Sequence, residues 1–149
     1  MTAFSIFLVD YLTKFAAVAL LTDGPIKVIG NFLKFDLIYN TGAAFSLATS
    51  KTIFLSVFAM VVGAGIFYFA VRIDSSKWAI ALGAVLGGIF GNLSDRIFRS
   101  PGGLQGPVVD WISLPHWPTF NIADSAVVIG VFFIVSLTWA KVPPRSVTK

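Results

Sequence analysis

Cysteine and glutamate are both absent from this chain of 149 residues, and histidine occurs once. Without cysteine there is no disulfide, no thiolate nucleophile, no Cys-ligated zinc and no iron–sulfur cluster. The lone His116 cannot form a His-x-x-x-His zinc pair, and no Gly-x-Ser-x-Gly elbow marks a serine hydrolase. No phosphate loop ends in Gly-Lys-Ser/Thr, and Gly87-Gly88-Ile89-Phe90-Gly91 lies inside an apolar run. The residues call for no metal and no cofactor. Charge is scarce too: 12% of residues are charged, against about 25% in ordinary soluble domains. The net charge of +4 is spread without a basic block, which argues against nucleic acid as a partner. With 56% hydrophobic residues and a mean hydropathy of +0.86, the chain is neither a water-soluble globule nor a disordered one.

What the chain does have is long uncharged runs. Residues 52–71 are twenty uncharged residues, enough for a helix to cross a hydrocarbon core of ~30 Å. Residues 78–94 are seventeen more, and 125–140 form a third run, extended at its front by Asn121 to Asp124. A first segment is apolar except for Asp10 and Lys14. The expected fold is therefore membrane α-helical: one domain over residues 1–149, with four transmembrane helices spanning about 3–21, 52–71, 78–96 and 122–140. The first segment lacks the basic start and the cleavage motif of a signal peptide. The chain begins almost inside it, consistent with a natural start further upstream. RIDSSK (72–77) is a tight turn, so the second and third helices should be antiparallel neighbours. The stretch IKVIGNFLKFDLIYN within 22–51 predicts two short strands turning near Gly30-Asn31. A second excursion, 97–121, is rich in Pro and Gly. With four spans both excursions lie on one side and both termini on the other. Basic residues divide five to four between turn plus tail (Arg72, Lys77, Lys141, Arg145, Lys149) and the opposite side (Lys27, Lys34, Lys51, Arg99). The count decides little; the purely basic tail leans toward cytoplasmic termini.

Ionisable groups inside membrane helices are costly and point to function. Asp10 and Lys14 stand four apart on one helix face, acid before base. They read as a buried ion pair that lets the helix insert. Lys14 as the base of a Ser–Lys hydrolase has no serine singled out as its partner. On the third helix Gly83, Gly87 and Gly91 make a close-packing ridge. Gly88, Asn92 and Arg96 form a second four-residue row, with Gly88 leaving room for something to approach and Asp95 beside Asn92. That row is either a structural polar network or an anchor for a polar substrate or a loop. Asn121 is a good N-cap for the fourth helix, and Asp124 suits its first turn.

Asp110 lies in Val108-Val109-Asp110-Trp111-Ile112, an apolar island in a Pro/Gly-rich excursion. Singly, Asp110 and Asp124 read as structural. Together they are two carboxylates on one side of the membrane in apolar surroundings, the composition an aspartic dyad needs. Two carboxylates sharing a site cannot both ionise comfortably, so one keeps a proton while the other accepts one from water. The Asp-Thr/Ser-Gly motif of soluble aspartic proteases is missing.

Five motifs occur in order: Asp10-Tyr11-Leu12-Thr13-Lys14; Asn40-Thr41-Gly42-Ala43-Ala44-Phe45-Ser46; Gly87 through Arg96, with Gly-Asn-Leu-Ser-Asp-Arg at its end; Val108 to Ile112; and Phe120 to Ala126. In this order, and across nearly the whole chain, they resemble the bacterial lipoprotein signal peptidases (signal peptidase II). The resemblance implies a catalytic pair at Asp110 and Asp124. It implies supporting or substrate-binding roles for Asp10, Lys14, Asn40, Gly42, Gly88, Asn92, Arg96, Asn121, Ala123 and Ala126, and a structural one for Asp95. It departs from the family where residues 97–109 are longer than in many members and where Pro107 replaces a common His or Lys.

The implied activity is an aspartic endopeptidase in the bacterial cytoplasmic membrane. It would work at the extracytoplasmic face, cutting a prolipoprotein signal peptide before a Cys that carries diacylglycerol. The implied partners are that substrate, membrane lipid and the cyclic peptide antibiotic globomycin, with the chain acting as a monomer. Small residues at Gly83, Gly87, Gly88 and Gly91 would then leave a lipid-facing groove. The excursion 22–51, with Phe32, Phe35, Ile38 and Phe45, would cradle the lipid-modified end, and Asn40-Thr41-Gly42 would turn the backbone toward the site. Two other readings remain open from the residues alone: a small four-helix transporter or proton-conducting subunit, and a non-catalytic assembly partner.

Overall fold

The computed structural model describes residues 1–42 and 48–145, without the side chains of 48–51. Ala43 to Ser46 of the second motif, including Phe45, and Lys149 of the tail lie outside the described residues. Four helices correspond to the four apolar runs: α1 Thr2–Leu20, α2 Ala48–Ala70, α3 Ser76–Phe98 and α4 Ile122–Trp139. Each is long and apolar enough to cross a membrane. Large apolar side chains such as Phe54, Phe58 and Val61 on α2 and Phe132 on α4 stay exposed. That is expected where the solvent is hydrocarbon and gives no hydrophobic reason to hide them.

Helix α3 is the central one. Of its membrane window 56% is buried within the protein, against 11% to 22% for the other three. Its small residues let neighbours come close on two sides. A side chain at Gly83 or Gly87 would strike Thr2, Ala3 or Ile6 of α1, so the expected ridge is the α1 contact. A Cβ at Gly88 would lie 2.4 Å from the Ala123 carbonyl oxygen of α4, and one at Gly91 would lie 2.5 Å from the Asp10 carboxylate. The groove expected beside α3 is therefore not there: α1 and α4 fill that space. Gly88 admits the start of α4 and leaves no room for a substrate. Among the described elements α2 packs on α3 but not on α4, and a cavity opens between α2 and the first turn of α4, with α3 as its back wall.

Both excursions build one antiparallel sheet in the order β1-β2-β3, with β1 Ile26–Ile29, β2 Leu33–Asn40 and β3 Val108–Ser113. The β1–β2 hairpin turns through Gly30, whose φ of +51° suits a residue without a side chain. Strand β3 was not expected. Its Val-Val-Asp-Trp-Ile run has strand-forming residues, but its partner β2 is some seventy positions earlier. Asn40 pairs with Val108, and Ile38 with Asp110. Phe35 packs edge-on against Trp111 over Ala17, Leu21 and Val109. It is thus part of the seam between sheet and α1, and among the expected cradle residues only Phe32 and Ile38 are described as exposed.

Candidate active site

The loop after β3 returns on itself. Phe120 bonds back to Ile112 and Trp111, which brings Asn121, at the start of α4, beside Asp110. The two acids thus come from adjacent elements joined by one short excursion. Asn121 holds them both. Its Nδ2 donates to Asp110 Oδ1 at 2.6 Å, and its Oδ1 accepts the Asp124 backbone N–H at 2.9 Å. In return Asp124 Oδ2 accepts the Asn121 backbone N–H at 3.2 Å, completing a capping box. The capping role expected of Asn121 and Asp124 is present, and it fixes where the Asp124 carboxyl points.

A second asparagine completes the bridge. Asn92 Nδ2, on α3, donates to Asp124 Oδ1 at 2.7 Å, while its Oδ1 accepts from Asn121 Nδ2 at 3.1 Å and Lys14 Nζ at 2.9 Å. The third asparagine, Asn40, sits diagonally from Asp110 on the same sheet face and donates to its Oδ2 at 2.9 Å. Asn40 Oδ1 accepts the Gly42 N–H at 2.8 Å, forming the turn expected at Asn40–Gly42. Gly42 has φ +77°, and a Cβ there would press on Leu55 and the Arg96 guanidinium.

Asp110, Asp124, Asn40, Asn92 and Arg96 all line a cavity of about 230 Å³ with Leu55, Ser56 and Ala59 of α2. Asp110 is buried, and burial pushes its carboxyl up to about 6; the Asp124 charge adds to this, while hydrogen bonds from Asn40 and Asn121 work against it. Arg96 donates to the Gly106 carbonyl at 3.4 Å, so it reaches the loop that the sequence offered as one of its two partners.

Asp10 and Lys14 lie beneath this cavity. Both are fully buried, Lys14 Nζ is 2.8 Å from Asp10 Oδ2, and Asp10 Oδ1 accepts the Ala123 N–H at 2.8 Å. Ala123 itself is buried against Gly88 and Gly91, and Ala126 is buried one turn further along α4. The ion pair therefore does more than allow insertion: it anchors the first turn of α4. Sequence reasoning missed Ser56, whose Oγ donates to Leu104 O at 2.8 Å and ties the long loop to α2. Thr52 and Ser56, four apart in the most apolar segment, were the available signal. Asp95 is bonded to Lys14, Arg99 and the Val109 N–H, and it joins the Asn92 network through Lys14 rather than by a direct bond.

Comparisons with known proteins agree with this geometry. The family model described as Signal peptidase (SPase) II matches residues 2–140. A lipoprotein signal peptidase of Mycobacterium avium (strain 104) is 46% identical over 137 residues, covering 91% of this chain and 75% of that relative. One from Mycobacterium bovis (strain BCG / Pasteur 1173P2) is 48% identical over 130 residues, covering 87% of this chain and 64% of that relative. The chain thus spans about two thirds to three quarters of the length of these relatives. A bacterial membrane enzyme solved by the in meso method at 1.9 Å superposes with a TM-score of 0.80 at 28% identity, covering 92% of this chain and 89% of that one. A second, solved at 2.3 Å, gives 0.79 at 26% identity over 99% and 91%. With the family's motifs, its fold and a match over almost its entire length, this multi-pass membrane protein belongs to the signal peptidase II family.

Proposed function

We propose that this chain is an aspartic endopeptidase that removes the signal peptide from prolipoproteins by cutting before a diacylglyceryl-modified Cys. The observation that supports this best is the pair Asp110 and Asp124, brought to one cavity and bridged by Asn92 and Asn121. Asp110, the buried partner, keeps the shared proton and polarises the scissile carbonyl. Asp124 takes a proton from the attacking water. Asn40, Asn92 and Asn121 donate hydrogen bonds that hold both carboxyls in place, so neither has to reorganise as charge develops. The cleft between α2 and α4 receives the apolar signal helix from the bilayer side.

In this reading the chain is a monomer of the bacterial cytoplasmic membrane. Its termini are cytoplasmic, and the sheet and cavity lie at the extracytoplasmic face. A cyclic peptide such as globomycin would compete for the same cavity. Purified protein in detergent, given lipid-modified prolipoprotein and the unmodified precursor, should release signal peptide from the first and not from the second. It should need no ion gradient. Substrate-independent ion flux in sealed vesicles without hydrolysis would instead favour the transporter reading.

The dyad sets a pH dependence. The usual carboxyl value is 3.8, and Asp110 in the folded protein is raised to about 6. Its proton is therefore held between those values and lost as pH rises through the upper one. The stability that comes from this tighter proton binding is fully present below 3.8 and disappears as pH passes about 6. For the free enzyme, kcat/KM is expected to fall on the alkaline side with an apparent pKa near 6, a value that belongs to the pair. A pH profile of initial rates checks this.

A further inference from the structure

We propose that Asp95 is a positioning residue that places both catalytic carboxyls at once; this rests on the dyad reading above. Asp95 is buried on α3, away from the cavity lining. Its Oδ2 accepts the backbone N–H of Val109 at 3.2 Å and the Lys14 ammonium at 2.8 Å. These two contacts reach the two acids by separate routes.

The first route runs through the backbone. Val109 immediately precedes Asp110, lies fully buried, and sits on the edge strand of the sheet. Its N–H points to α3, away from β2, and would be an unpaired buried donor without Asp95. The Val109 carbonyl on the same residue accepts from Asn121 Nδ2 at 3.2 Å. Both backbone groups flanking the Asp110 position are thus fixed from outside the sheet, the N–H by Asp95.

The second route runs through an amide. Lys14, held by Asp95 and Asp10, donates to Asn92 Oδ1. An ammonium has donors only, so it fixes the oxygen of Asn92 toward itself and the NH2 toward Asp124 Oδ1. Were Asn92 to turn over, it would present an oxygen to a carboxylate and an NH2 to a cation. Asp95 therefore sets the strand that carries one acid and, through Lys14, the amide that orients the other. The other Asp95 oxygen accepts from Arg99, so both oxygens are engaged by the protein's own groups.

The test is a kcat–KM comparison on the purified full chain with lipid-modified prolipoprotein. Asp95→Ala removes the first route and takes from the second one of the two carboxylates that hold Lys14; it should lower kcat about 100-fold, the scale of a sub-ångström to 1 Å misplacement of reacting groups, with KM within about twofold of the parent. Asp95→Asn keeps an acceptor for the Val109 N–H but loses the charge that holds Lys14. It should lower kcat by about three- to tenfold, again at constant KM, so that Asn rescues most of the Ala defect. If Asp95→Ala is not recovered folded, Asp95→Asn decides alone. Parental kcat in folded Asp95→Asn, or a KM rise that accounts for the loss in kcat/KM, overturns the proposal. Asp110→Asn and Asp124→Asn run in parallel separate the two ideas. Activity surviving in those variants sinks the dyad reading itself; their inactivity beside a fully active Asp95 variant sinks only the role of Asp95.

Discussion

Asp110→Asn is expected to leave an inserted, folded protein that cleaves nothing measurable, and Asp124→Asn the same. Each substitution keeps the size of the side chain and removes the ability to hold or take a proton. General acid–base groups are worth roughly 10²–10⁴-fold singly, and more where two act as a unit. The double variant should be no worse than either single one, because the first loss already breaks the shared-proton state. Asp124→Asn has a second consequence: it puts an NH2 into a capping box whose Oδ2 accepts the Asn121 N–H. It should therefore cost a little stability, about 1 kcal/mol on the scale of lost N-terminal caps. Single-turnover cleavage, with thermal unfolding in detergent, measures both. More than a few per cent of parental activity in either single variant would count decisively against the pair.

The largest expected loss of stability comes from Lys14→Met. Among the described residues the ammonium is the only cation bonded to Asp10, and it shares Asp95 with Arg99. Methionine fits the volume and leaves Asp10 as an uncompensated buried carboxylate. Breaking a buried pair from one side costs about 3–5 kcal/mol, a large part of the total stability of an ordinary domain. Pairing Lys14→Met with Asp10→Asn should restore stability by a large fraction without restoring activity, because Asn92 still lacks the donor that orients it. Unfolding in a denaturing-detergent titration tests the prediction, and a Lys14→Met protein as stable as the parent would refute it.

The helices were legible because a bilayer demands long uncharged segments, and nothing else in the chain looks like one. The hairpin was legible from Gly30-Asn31 between β-branched and aromatic residues. So was the capping role of Asn121, because a cap is a local device. Strand β3 was hidden: Asp110 interrupts its apolar run, and its pairing with β2 is invisible to any local pattern. The spacing of Gly83, Gly87, Gly88 and Gly91 announces close approach but does not say whose. Here the answer is α1 on one side and α4 on the other, and the lipid-facing room expected beside α3 vanished with it. Lys14 was legible as the partner of Asp10, four residues away. Its contacts with Asn92 and Asp95 join helices that are adjacent only after folding, and they turn an ion pair into the floor of the candidate site. The carry-over from the family residues supplied Asn40 and Ala123, for which composition and spacing gave no signal.

The three-stranded sheet has a consequence for how the protein is made. β2 belongs to the excursion before α2, while β3 belongs to the one before α4, so the sheet closes only when both loops have reached the same side of the membrane. Asp124 arrives later still, on α4. A chain synthesised only as far as β3 therefore carries Asp110 and not Asp124. If Asp110 and Asp124 are the catalytic pair, the centre therefore comes together only once α4 has joined the sheet, and a chain that stops before α4 lacks one of its two acids.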